Sequence, residues 1–246
     1  MAIYLKKFEN HTQYDNYING SDAILPNVSI CTTEGDVHYN PSTPPTPSHD
    51  YVEIARIKWA TMNIGANSPT DAGLYFQWGD INGYTASQVG TDKVFNWTNY
   101  KFNPSGDGET FIKYNSTDGK TVLDAEDDAV RANWGGNWRT PTVSEWEELG
   151  EAVNTAWTQV NGVYGLQCTD KTDSSKVLFF PAVGYCYNSS MDSIGSGGFY
   201  WSSSLDTFSG DGLAYRMLFY SDYVNWADGE YGMLCNGYSI RGVLDE

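Results

Sequence analysis

Short apolar stretches alternate with polar turns along most of this chain, and only two places carry the three- and four-residue spacing of a helix. Near the start, Ile3-Tyr4-Leu5, Ala23-Ile24-Leu25 and Val28-Ser29-Ile30-Cys31 are separated by polar residues. Val28 and Ile30, then Val37 and Tyr39, alternate around Glu34-Gly35-Asp36, which predicts a small hairpin. A strand is predicted over Tyr51–Trp59. The first helix is expected over Asp124–Ala132, stopped by Gly135-Gly136. The second should begin at Thr142, where Thr142-x-x-Glu145 fits a capping box and Pro141 precedes it. Trp146, Leu149 and Val153 then share one helical face. Beyond it the pattern predicts strands at Tyr164–Thr169, Lys176–Gly184, Phe199–Ser204, Ala214–Tyr220 and Tyr238–Leu244. In Ala214–Tyr220, one alternating set (Tyr215, Met217, Phe219) should face a core and the other should not.

Composition refines that picture. Between Asn40 and His49 stand four prolines in eight residues, so 40–50 reads as a semi-extended linker between a segment 1–39 and a domain 51–246. Nine Trp, 18 Tyr, 10 Phe and 25 Gly describe a loop-rich α+β globule with little continuous helix. The 246 residues suffice for one large domain with an appendage. Lys+Arg 14 against Asp+Glu 31 leaves a formal charge of −17, which argues against nucleic acid and anionic membranes as partners. No apolar run approaches the roughly 20 residues of a membrane helix. The first nine residues, with Lys6-Lys7 inside them, do not read as a secretory signal.

All three histidines (His11, His38, His49) precede residue 51, so the body cannot build a Ser-His-Asp or Cys-His pair or a His-rich zinc site. Cys31, Cys168, Cys186 and Cys235 stand far apart, without a C-x-x-C pair, and read as small buried thiols. No catalytic group, metal or cofactor is expected.

Six blocks follow in a recognisable order: Trp59–Gly65, Tyr75-Phe-Gln-Trp-Gly79, Gly135-Gly-Asn-Trp-Arg-Thr-Pro-Thr-Val-Ser-Glu-Trp-Glu-Glu-Leu149, Phe179–Tyr185, Tyr200-Trp-Ser-Ser-Ser204 and Tyr238-Ser-Ile-Arg-Gly-Val-Leu244. Together they resemble the bacterial and phage form of the C-type lectin-like fold, shared by formylglycine-generating enzymes, Fibrobacter major paralogous domains and the variable proteins of diversity-generating retroelements. The resemblance implies two helices packed on small antiparallel sheets. Residues 1–50 resemble, more loosely, leader segments of Bacteroidales and phage proteins of this group. Trp134, Trp138, Trp146 and Trp201 are expected to form the scaffold, with Arg139 bonded to loop carbonyls or a buried carboxylate.

The stretch 205–234 has no lysine, one arginine and a mixture of Tyr, Asp, Ser and Gly. That is the vocabulary of a binding surface, and equally of an ordinary hairpin with wet loops. The resemblance favours the first, because in retroelement-diversified proteins this segment is the variable region. Adenine-directed mutation there scatters Asn codons to many residues but not to Trp, Met, Glu, Lys or Gln. Met217, Trp226, Glu230 and Met233 are then fixed scaffold. The ligand-facing candidates are Asp206, Thr207, Phe208, Asp211, Arg216, Leu218, Tyr220, Asp222, Tyr223, Ala227, Asp228 and Gly229. Tyr220, Tyr223, Phe208 and Arg216 should dominate binding, as exposed aromatics and arginine usually do.

The expected function is non-catalytic recognition of a protein or glycan on a bacterial surface, by a phage tail adhesin or from a cell surface. A homotrimer would add avidity. Three rivals remain. An enzyme reading needs the paired C-terminal cysteines of the formylglycine-generating relatives, where this chain offers Cys235 alone. A calcium-dependent lectin would use Asn225, Asp228 and Glu230, although the Glu-Pro-Asn or Gln-Pro-Asp loop of such lectins is absent. A fixed structural component of a virion or pilus would leave 205–234 as plain surface.

Overall fold

The computed structural model describes residues 49–115, 117–229 and 232–246; the hairpin expected at Gly35 and the linker as far as Ser48 lie outside them. Tyr51–Trp59 is not one strand. It divides into β1 (Tyr51–Ile54) and β2 (Ile57–Asn63), paired antiparallel with Ile54 opposite Ile57. The turn residues Ala55 and Arg56 take φ of 54° and 65°. Both values are positive, the conformation that a tight two-residue hairpin turn demands, but no Asn-Gly pair signals it in the sequence.

Helix α1 runs over Ala129–Trp134, shorter and later than expected. The acids ahead of it are engaged elsewhere: Asp127 bonds Lys101, Lys113 and Tyr114, and Asp128 caps the helix by accepting from the amides of Val130 and Arg131. Gly135, at φ 69°, ends it. After β3 (Trp138–Arg139) comes α2 (Val143–Ala152), begun by the capping box between Thr142 and Glu145. Trp146 and Leu149 are buried on its inner face. Val153 is buried too, but it opens a strand that the pattern did not predict.

The remaining strands are β4 (Val153–Val160), β5 (Val163–Asp170), β6 (Val177–Pro181), β7 (Val183–Tyr187), β8 (Ser190–Ile194), β9 (Gly198–Leu205), β10 (Ala214–Tyr220), β11 (Tyr223–Asp228) and β12 (Arg241–Leu244). They form three sheets, ordered β1-β2-β12-β3, β11-β10-β9-β7-β8 and β4-β5-β6. The five-stranded sheet is mixed rather than antiparallel throughout, because β7 and β9 meet parallel at Gly184 and Gly198. The described residues thus form a mostly β, loop-rich α+β body with two short α-helices. None of their helices is long and apolar enough to cross a membrane.

β10 lies between two parts of the core. Ala214 and Leu218 join a cluster with Trp78, Trp138, Trp201 and Tyr238. Met217 and Phe219 join another with Trp59, Trp146, Leu149 and Tyr200. Both alternating sets are therefore covered, against the expectation that one would stay outside. The sheet is packed on both faces, so period-two alternation in β10 separates two cores rather than core from water.

Candidate ligand-binding surface

The site begins where β9 ends. Asp206 is only 2% exposed. Its Oδ1 accepts from the amides of Phe208 (2.9 Å) and Ser209 (3.2 Å), and its own amide donates to the Leu213 carbonyl at 3.0 Å. This side chain braces the loop from within. Gly229 is buried beside the Asp206 carboxylate and Tyr215. Burial, with the carboxylates of Asp206 and Glu147, pushes the Tyr215 phenol above its ordinary range. Held in this way, the loop turns Thr207, Phe208 and Asp211 outward. Phe208 is 95% exposed.

Along β10 the side chains belong to the core. Arg216 is 7% exposed. It donates from Nε to Asp228 Oδ2 at 2.7 Å and from Nη1 to the Tyr238 hydroxyl. Its guanidinium lies 5.4 Å from the Phe199 ring centroid and 5.2 Å from that of Tyr238. Leu218 is equally buried. Tyr220 is half-buried, with its ring edge-on to Phe199 at 5.9 Å. The turn Ser221-Asp222 then exposes Asp222 and Tyr223, the latter 52% exposed. Ala227 and Asp228, on β11, are half-buried.

The twelve candidates are therefore not gathered on one face. Thr207, Phe208 and Asp211 stand at one end of β10, and Asp222 and Tyr223 at the other, separated by about 20 Å of strand at ~3.4 Å per residue. Asp206, Arg216, Leu218 and Gly229 face inward, which corrects their ligand-facing assignment. Arg216 in particular is an internal ion pair, because its partner Asp228 lies directly across the β10–β11 ladder.

Of the residues expected as scaffold, Trp134, Trp138, Trp146, Trp201 and Met217 are buried. Arg139 grips Glu145 with both terminal nitrogens (Nη1–Oε2 2.8 Å, Nη2–Oε1 2.6 Å) and Asp245 through Nε at 2.9 Å. Trp226 is only half-buried. Its indole covers Gly150 of α2, where a Cβ would fall 2.6 Å from the ring. Met233 is half-buried, and the Glu230 side chain lies outside the described residues.

The carboxylates and thiols are also accounted for. Asn225 accepts from the Ala227 amide at 3.1 Å and Asp228 holds Arg216, so two of the three groups of the imagined calcium loop have protein partners. Asp124, Glu126 and Asp127 converge closely enough to hold a cation, and Lys113 Nζ supplies one, at 2.7, 3.1 and 2.5 Å. The sequence reading saw these acids only as the start of a helix. Cys168, Cys186 and Cys235 are free and buried; burial pushes all three thiols up, Cys235 to about 12. Beside β11 an open groove runs against α2, whose glutamates the sequence reading left unassigned. No family model, curated protein or solved structure matches this chain.

Proposed function

We propose that this chain is a non-catalytic binding protein of C-type lectin-like fold, related to the variable proteins of diversity-generating retroelements. It displays exchangeable side chains toward a protein or glycan on a bacterial surface, from a phage tail or a cell surface. The observation that carries this reading is the division of labour within 206–223. Phe208 stands almost wholly in water on a loop braced by buried Asp206, while Met217 and Leu218 of the adjoining strand are locked in the core. Side chains at such loop and turn tips can change without disturbing packing.

The fold assignment draws support from where two of the resembling blocks meet. Trp146 Nε1 donates to the Trp201 carbonyl at 3.4 Å, the Ser203 amide to the Pro141 carbonyl at 2.7 Å, and the Val143 amide to Ser204 Oγ at 3.1 Å. A non-catalytic role agrees with thiols held protonated at neutral pH by burial.

Sequencing this gene across a host population tests the proposal. Substitutions should fall at codons 207, 208, 211, 222 and 223 and spare Arg216, Met217, Leu218 and Trp226. Substitutions spread evenly along 51–246, or an invariant gene, would overturn it.

A further inference from the structure

The groove between α2 and β11 is shallow and open to solvent, with a volume of about 750 Å³. On its helical side stand Glu147, Glu148 and Glu151, spaced so that all three share one face. All are exposed, and among the described residues their carboxylates enter no hydrogen bond or ion pair. Lys171 Nζ is directed to the Glu151 backbone carbonyl at 2.5 Å. The strand side contributes Asn225 and Trp226. The indole lies close to the helix there because Gly150 has no Cβ, and it is half-buried.

The third observation concerns the backbone. Among the described residues β11 is the edge of the five-stranded sheet and pairs with β10 alone. Along its outer side the one hydrogen bond among the described residues is local, from the Ala227 amide to Asn225 Oδ1. An unpaired edge is a template for another strand. A carboxylate wall beside a partly buried indole favours ammonium or guanidinium groups. A second copy of this chain, with its charge of −17, is a poor occupant.

We propose that this groove takes an extended, lysine- or arginine-bearing peptide segment of a partner protein. The segment adds to the edge of β11 and lays its cationic side chains between Trp226 and the three glutamates. The inference rests on the binding reading above, since both need β11 open to solvent, and it names the chemistry of one partner.

The test is isothermal titration of the full chain with the synthetic peptide acetyl-Thr-Lys-Val-Lys-Val-Lys-Thr-amide. Two charge-matched triple variants are compared, each removing three carboxylates. E147Q/E148Q/E151Q should weaken binding at least tenfold, while E53Q/E109Q/E246Q, exposed acids elsewhere, should change it less than twofold. Glutamine keeps helix propensity at exposed positions, so both variants should melt like the parent. A peptide with proline in place of each valine, which lacks those strand amides, should bind at least tenfold more weakly. Equal weakening by both triples would reduce the interaction to bulk charge and overturn the groove. Proline-peptide or glucosamine binding as tight as that of the parent peptide would overturn strand addition. Failure here leaves the population test standing, because that test reads codons 207, 208, 211, 222 and 223, none of which lines the groove.

Discussion

Two polar, aromatic-bearing regions behave in opposite ways: Asp128–Glu145, with two tryptophans and no tyrosine, and Asp206–Tyr223, with three tyrosines, two phenylalanines and no tryptophan. In the block from Asp128 to Glu145, Asp128, Arg139 and Glu145 are held by hydrogen bonds within the block, and Arg139 also reaches Asp245. Asp128 caps α1 and also accepts from Thr140 N (2.9 Å) and Oγ1 (2.8 Å). Arg139 ties Glu145 of the capping box to Asp245 near the C-terminus. In the segment from Asp206 to Tyr223, residues 207–211 and 221–223 face water, while Asp206 and most of β10 are consumed by the fold. The difference teaches that polarity does not decide exposure here. A charged side chain is buried here where hydrogen-bonding partners meet it, whether local, as at Asp206, or 12 residues away, as at Asp128 and Arg216.

The largest expected effect comes from the residue that crosses this division. Arg216 sits in the display segment but is paired like the block, so Arg216→Ala should cost about 3 kcal/mol by leaving a nearly buried carboxylate uncompensated. Urea unfolding measures it, with Asp228 left in place. A loss below about 1 kcal/mol, the range of exposed ion pairs, would return Arg216 to the surface and to the binding candidates.

A smaller effect should appear in acid and belongs to the block alone. Burial by itself would push the Glu145 carboxyl up, but hydrogen bonds from Arg139 and Thr142 outweigh it and hold the group below its ordinary value of 4.5. The folded state therefore binds this proton less readily than the unfolded one. Its contribution is fully present above the ordinary value and is lost as pH falls through the lowered one. Unfolding midpoints in guanidinium between pH 7 and pH 3 should fall less steeply for Glu145→Gln than for the parent. Parallel curves would show that the Arg139 pair has no linkage to folding.

Much of the block could be read from the chain, and little of the segment's interior. The capping box at Thr142, the glycine stop at Gly135 and the bounds of β10 are local signals, set by neighbours within a few residues. The hairpin at Ala55-Arg56 escaped because non-glycine residues adopt its positive φ, and the hydrophobic pattern runs through it unbroken. β11 escaped because its residues are nearly all half-buried and show no alternation. The candidate surface was legible in position but not in orientation. Nothing local marks Arg216 as the partner of Tyr238, which lies 22 residues away. The groove escaped for the same reason, since α2 and β11 are separated by most of the β region.

The smallest expected change in stability sharpens the comparison most. Phe208 is nearly as large as the buried tryptophans of the block, yet 95% of its surface is exposed. Truncation to alanine in a core costs several kcal/mol because apolar surface and a cavity are lost together. At Phe208 neither exists to lose, because the loop is held by Asp206 accepting two main-chain amides and not by the phenyl ring. Phe208→Ala should therefore leave unfolding within about 0.5 kcal/mol of the parent, while reducing retention of the chain on intact host cells at least tenfold. A stability loss above about 1 kcal/mol would mean that the ring packs in solution. Phe208 would then belong with Trp146 and Trp201 as scaffold, and the loop end of β10 would no longer be a display surface.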